Sequence, residues 1–191
     1  NIKESKYDVF GAGHSSTAIS SALGIATVNK INNSDALVVS VVGDGALTGG
    51  MSFEAMNNAG NSNANLIIIL NDNDMSISRN VGALSKYLTN LISGKIYSKM
   101  KHKSLNFLKF TPRLRNFAKR SEGAIKGMIL PSNLFEELGI DYFGPIDGHN
   151  LKDLIKTLQN LKNQSKPRIL HIVTTKGKGL DVAEKDPTKY H

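Results

Sequence analysis

The stretch ALVVSVVGDGALTGG, residues 36–50, runs a valine-rich apolar segment straight into a glycine turn that carries one acid, Asp44. An unbroken apolar run of this length reads as a strand buried on both faces, the signature of a parallel sheet. A helix is expected over 51–59, with Phe53 and Met56 turned inward and Gly60 as its C-cap. NLIIIL, residues 65–70, is the next buried strand. Strand, short helix and strand form a βαβ unit, so the two strands should be parallel, joined by a right-handed crossover.

The same logic extends along the chain. Residues 15–30 read as an amphipathic helix, with Ser15 or Ser16 as N-cap and Ile19, Leu23 and Ala26 on one face. NLFEELG is a short helix closed by Gly139, followed by a strand at IDYF. Asn150 caps a helix whose Leu151, Leu154, Ile155, Leu158 and Leu161 follow helical spacing. ILHIVTT, residues 169–175, is a last strand, and the tail KGKGLDVAEKDPTKYH reads as loop. The fold class is therefore α/β, an open, mainly parallel sheet with helices on both faces. Without repeats or Gly/Ser linkers, residues 1–191 read as one domain, interrupted by a basic insertion at about 78–128.

Composition narrows the function. The chain has 191 residues, of which 40% are hydrophobic, and no apolar run nears the ~20 residues that span a membrane. It has no cysteine, so disulfides and thiolate metal sites are excluded and a reducing compartment is expected. It begins at Asn1 rather than Met, and NIKESKYDVF lacks the apolar core of a signal peptide, so a piece of a longer chain is expected. The net charge of +8 comes from residues 95–126, where ten Lys or Arg face a single acid, Glu122. With Phe107, Phe110, Leu114 and Phe117 interleaved, that segment reads as a solvated amphipathic insertion. Steering of an anionic ligand and nucleic-acid binding are its alternatives.

In an open parallel sheet, ligands lie at the carboxyl ends of the strands. Two such ends are adjacent here, GDGALTGG after the first strand and NDNDMS after the second. Backbone N–H groups of Gly45 and Ala46 at a helix start suit a diphosphate. Asp44 opposes it, because like charges 4 Å apart repel by about 4 kcal/mol at an effective dielectric near 20. A divalent cation between them reverses that sign. Mg²⁺ takes six oxygens, commonly one or two from protein and the rest from phosphate and water, and Asp44 with the Asn73 amide oxygen meets that need. Taken alone, GDG is an ordinary tight turn and NDND an Asx-turn; the specificity lies in the pair. No G-x-x-x-x-G-K-[ST] is present, and GAGHSS lacks the third glycine of a dinucleotide fingerprint.

Gly43-Asp44-Gly45 with Asn73 resembles the thiamine diphosphate motif. The flanking segments FGAGHSST, GDGALTGGMSFEAMNNAG, LNDNDMSIS, GPIDGHN and AEKDPTKYH are similar to the N-terminal domain of the 1-deoxy-D-xylulose-5-phosphate synthases over nearly the whole chain. The resemblance implies that Asp44, Asn73 and the main-chain carbonyl of Met75 hold Mg²⁺. It implies that Gly45 and Ala46 meet the diphosphate and that Gly13, His14 and Ser15 line the cofactor; on residue chemistry alone His14 could equally be a packed or capping histidine. His149 reads as structural, explained by its tight turn. His191 matches a histidine near the family's substrate pocket, in a catalytic role. Leu180 stands where the family usually has an aromatic residue against the cofactor, which leaves either a packing contact or an altered affinity.

By the same resemblance, the parent enzyme joins pyruvate to glyceraldehyde 3-phosphate, releasing CO₂, as a homodimer, in isoprenoid, thiamine and pyridoxal synthesis. The bacterial cytoplasm or the plastid stroma is the implied compartment, with neither membrane nor nucleic acid as partner. The glutamate that activates the aminopyrimidine, and a further cofactor-contacting histidine, belong to segments not present in these residues, so this chain alone is expected to be inactive. A transketolase-like enzyme would share the metal site and differ in substrate. A basic nucleic-acid module would bind with steep salt dependence and without need of Mg²⁺ and cofactor.

Overall fold

The computed structural model describes residues 2–73, 75, 82–93 and 134–190. The basic segment 95–126 and His191 lie outside the described residues. Four strands, β1 (Val38–Gly43), β2 (Leu66–Asp72), β3 (Asp141–Asp147) and β4 (Arg168–Val173), form one sheet in the order β1-β2-β4-β3. Every neighbouring pair is parallel. The helices are α1 (Ala18–Ile31), α2 (Asp44–Leu47), α3 (Gly50–Gly60), α4 (Ala83–Ser93), α5 (Leu134–Glu137), α6 (Leu151–Lys162) and α7 (Asp181–Lys185).

Alternation along β2 explains the layering, because successive side chains leave a strand on opposite faces. Leu66, Ile68 and Leu70 join Val42 and Ile169 on one face, where Ile19, Ala22 and Ala26 of α1 and Ala55, Met56 and Ala59 of α3 cover them. Ile67 points the other way, with Leu170 and Leu161 of α6, edged by Leu154 and Leu158. Full burial of each of the Val, Leu, Ile and Met side chains contributes about 1.5–3 kcal/mol. The sheet is thus open, parallel and covered on both faces, as the apolar runs predict.

Several local expectations are corrected. β1 is buried on one face only: Val39 and Val41 are 48% and 62% exposed, because β1 is the sheet edge and α6 packs over the other strands. Phe53 is exposed, and Ser52 takes the inward position beside Ala55 and Met56. Gly60 is the last helical residue of α3 and Asn61 its C-cap. On α6, Leu151 and Ile155 are exposed, so the apolar stripe is wider than the sheet it covers. The β3 strand runs past IDYF through Gly144 and Pro145, with a register shift between Phe143 and Ile146. The tail contains the short helix α7. Asn150 does cap α6, its side chain accepting from the Asp153 N–H at 3.3 Å.

Candidate functional site

The carboxyl ends of β1 and β2 lie side by side, Gly43 in register with Asn71. Beyond them the chain enters Asp44 on one strand and Asn73 on the other. Asp44 is 4% exposed and opens α2 with Gly43, in extended conformation, before it. The first N–H groups of a helix have no carbonyl partner within it, so those of Gly45 and Ala46 are placed for an anion or its surrogate. Asn73 folds back on itself, its Oδ1 accepting from the Met75 N–H at 3.1 Å. That Asx-turn holds Met75 beside Asn73 and uses one of the two lone pairs on Oδ1.

The Gly13–Ser15 loop is tied to the α2 turn by the hydroxyl of the residue that follows it, Ser16. Ser16 caps nothing: it sits in left-handed conformation, φ 69°, and its Oγ donates to the Ala46 carbonyl at 2.7 Å. Ser52, fully buried, donates to the same carbonyl at 3.0 Å. The N-cap position of α1 falls to Thr17, which makes no capping bond; its Oγ1 donates to the His14 carbonyl at 3.1 Å. Gly13, His14 and Ser15 are exposed, and His14 Nδ1 lies 2.7 Å from the Ser15 carbonyl oxygen. A packed histidine is therefore not what His14 is.

The end of β4 completes this side of the sheet. Thr174 donates through its main-chain N–H to the Asp72 carbonyl at 2.9 Å and through Oγ1 to Asn71 Oδ1 at 2.7 Å. His149, after β3, accepts from the Thr175 N–H at 2.8 Å, while its own N–H donates to Asp147 Oδ1 at 2.9 Å. Its ring ties two loops together, a structural role. Leu180 is 55% exposed and precedes α7, after a turn through Gly177 and Gly179, both at positive φ. The Gly179 N–H donates to Glu184 Oε1 at 3.0 Å, which, with Lys178, holds the Glu184 carboxyl below its ordinary range.

Sequence reasoning missed a buried polar line across the sheet. His171 Nε2 lies 3.0 Å from Asp72 Oδ2, and the Tyr142 hydroxyl lies 2.7 Å from His171 Nδ1. Burial, then the nearby Tyr87 and Asp72, pushes the Tyr142 hydroxyl well above the ordinary phenol range. The available signal was the histidine inside ILHIVTT, a polar residue in an otherwise apolar strand.

The oxygens that the chain offers just beyond these two strand ends include the Asp44 carboxylate, the Asn73 amide oxygen and the Met75 carbonyl, all hard oxygens of the kind Mg²⁺ prefers. Among the described residues no three His, Cys, Asp or Glu side chains gather as a metal site. A cation held here would complete its shell with oxygens from a ligand. No described helix is long and apolar enough to cross a membrane.

Comparison with known proteins bears on the whole chain. A solved transketolase from Campylobacter jejuni superposes with a TM-score of 0.56 at 24% identity, covering 92% of this chain and 22% of that one. At that identity the likeness shows the fold. Sequence relatives are nearer. The 1-deoxy-D-xylulose-5-phosphate synthase of Methylococcus capsulatus is 55% identical over 192 residues, all of this chain and 30% of its own. The synthases of Thioalkalivibrio sulfidiphilus and Pseudomonas fluorescens are each 54% identical over 188 residues, 98% of this chain. The chain thus spans about 30% of the length of the curated relatives it matches. The family model described as 1-deoxy-D-xylulose-5-phosphate synthase matches residues 1–174, and the chain belongs to that family.

Proposed function

We propose that residues 1–191 form the part of a thiamine diphosphate site that holds the cofactor's diphosphate through Mg²⁺, in an enzyme that makes 1-deoxy-D-xylulose 5-phosphate and CO₂ from pyruvate and glyceraldehyde 3-phosphate. The observation that carries the reading is the adjacency of two strand ends, one delivering a buried carboxylate at a helix start and the other an amide oxygen held in an Asx-turn.

In this reading Asp44 supplies the charged metal ligand and Asn73 a neutral one. A neutral second ligand avoids adding negative charge beside a diphosphate. The Met75 carbonyl is the third protein oxygen. The N–H groups of Gly45 and Ala46 face the diphosphate, and the Gly13–Ser15 loop, anchored through Ser16, borders the cofactor. Thiamine diphosphate, when bound, supplies the carbon nucleophile at which pyruvate loses CO₂ and the aldehyde is joined. The task of these residues is binding and orientation. Leu180 fills space at this rim without a phenol hydroxyl. His191 is assigned to the substrate side.

Since the chain corresponds to about 30% of its relatives, these 191 residues alone are expected to show no synthase turnover. Positioning of all reacting groups together is what generates the rate. A homodimer of the intact protein is part of the same proposal.

Calorimetry of the intact protein with thiamine diphosphate, with and without Mg²⁺, tests the site. Binding should require Mg²⁺ and fall at least tenfold in Asp44→Ala. Cofactor affinity unchanged in that variant would sink the metal assignment.

A further inference from the structure

The line Asp72–His171–Tyr142 crosses three adjacent strands, from the carboxyl end of β2 through the middle of β4 to the start of β3. His171 is fully buried and Asp72 is 4% exposed. A polar line costs desolvation that an apolar trio at the same positions would not, so its presence in an otherwise apolar layer calls for a role beyond stability. A carboxylate only accepts, so His171 Nε2–H donates to Asp72; with a neutral imidazole Nδ1 then accepts from the Tyr142 hydroxyl, which gives the chain one direction.

Asp72 directly precedes Asn73. Its side chain is held by His171 and its carbonyl by the Thr174 N–H, so both its side chain and its backbone are pinned. The line continues outward: the Tyr142 ring stacks on Phe135 at 5.6 Å and 3°, and Phe135 meets Tyr87 edge-on at 6.3 Å. The Tyr87 hydroxyl accepts from the Leu134 N–H at 2.8 Å. Tyr87 belongs to α4, the next described helix after Met75. The strand that delivers Asn73 and the helix that follows Met75 are therefore tied into one network.

We propose that Tyr142 and His171 are positioning residues for the metal end of the site, acting through Asp72 to fix the backbone from which the Asn73 oxygen and the Met75 carbonyl are presented. This rests on the reading of Asn73 and Met75 given above. Groups that orient metal ligands typically change metal affinity 10- to 100-fold when removed.

The test is titration of Mg²⁺ into the intact protein with excess thiamine diphosphate, followed by calorimetry, alongside thermal melts. Tyr142→Phe and His171→Leu should each weaken Mg²⁺ binding about tenfold or more. His171→Gln, whose amide N–H can still reach Asp72, should recover most of that loss. A purely structural role would lower the melting temperature while leaving Mg²⁺ affinity within twofold, and that result in the folded variants would overturn the proposal. If His171→Leu does not fold, Tyr142→Phe decides, since it removes one hydroxyl and keeps the ring stack. Absence of Mg²⁺-dependent binding in the unsubstituted protein would overturn the reading of the site, and this inference with it.

Discussion

Gly60, ending α3, and Gly139, following α5, pass backbone against backbone. A Cβ on Gly139 would stand 2.8 Å from the Gly60 carbonyl oxygen, and one on Gly60 would overlap the Leu138 carbonyl. Gly139 also lies at φ +84°, where a side chain is strained whatever the space. The contact seats α5, and with it Phe135, against the end of α3. Both Gly60→Ala and Gly139→Ala are expected to destabilise the protein by about 1–3 kcal/mol. Urea unfolding of the two variants measures this, and a loss below about 0.5 kcal/mol in both would contradict the close approach.

The βαβ frame was legible because its signal is local. NLIIIL is apolar at every position after Asn65, which only a strand covered on both faces requires, and β2 is an interior strand with neighbours on both sides. ALVVSVV carries the same signal, yet β1 lies at the edge with Val39 and Val41 exposed. Nothing within the stretch encodes how many strands will stand beside it. Ser16 failed as a cap for a related reason, since its hydroxyl is committed to Ala46, thirty residues away. That Asp44 and Asn73 follow neighbouring strand ends was readable because each follows its strand directly and parallel neighbours align their ends. The Asp72–His171–Tyr142 line was not, since its members are far apart in sequence and only the sheet order brings β4 between β2 and β3.

Tyr142 makes stability fall with alkaline pH. Its ordinary value is 10.0, and burial raises it in the folded protein. The folded state therefore keeps a proton that the unfolded state releases, so this contribution is fully present below pH 10 and is lost as pH rises through the folded value. The extra slope is at most about 1.4 kcal/mol per pH unit for one group. Denaturant midpoints compared between pH 8 and 11 should decline more steeply in the unsubstituted protein than in Tyr142→Phe. Parallel profiles would show that the hydroxyl is not buried as described.

Ser52 is the buried clamp on the turn that carries Asp44. Its hydroxyl donates to the Ala46 carbonyl at 3.0 Å, where the Ser16 hydroxyl also arrives at 2.7 Å. With the Gly49 N–H, which donates to the same carbonyl at 3.3 Å, the two hydroxyls fix the plane of the peptide that follows Ala46, and so the pitch of the short α2 turn. Ser52→Ala leaves Ser16 as the remaining donor of the pair, so the carbonyl keeps a partner and the loss should be moderate, about 0.5–1.5 kcal/mol. Replacing both, Ser16→Ala with Ser52→Ala, strips both hydroxyls from that carbonyl and should cost more than the two single changes added together, because groups sharing one partner are coupled. A double-mutant cycle by urea unfolding reads this directly. Additivity within about 0.3 kcal/mol would mean that the two hydroxyls act independently and that the turn is held by its own backbone alone.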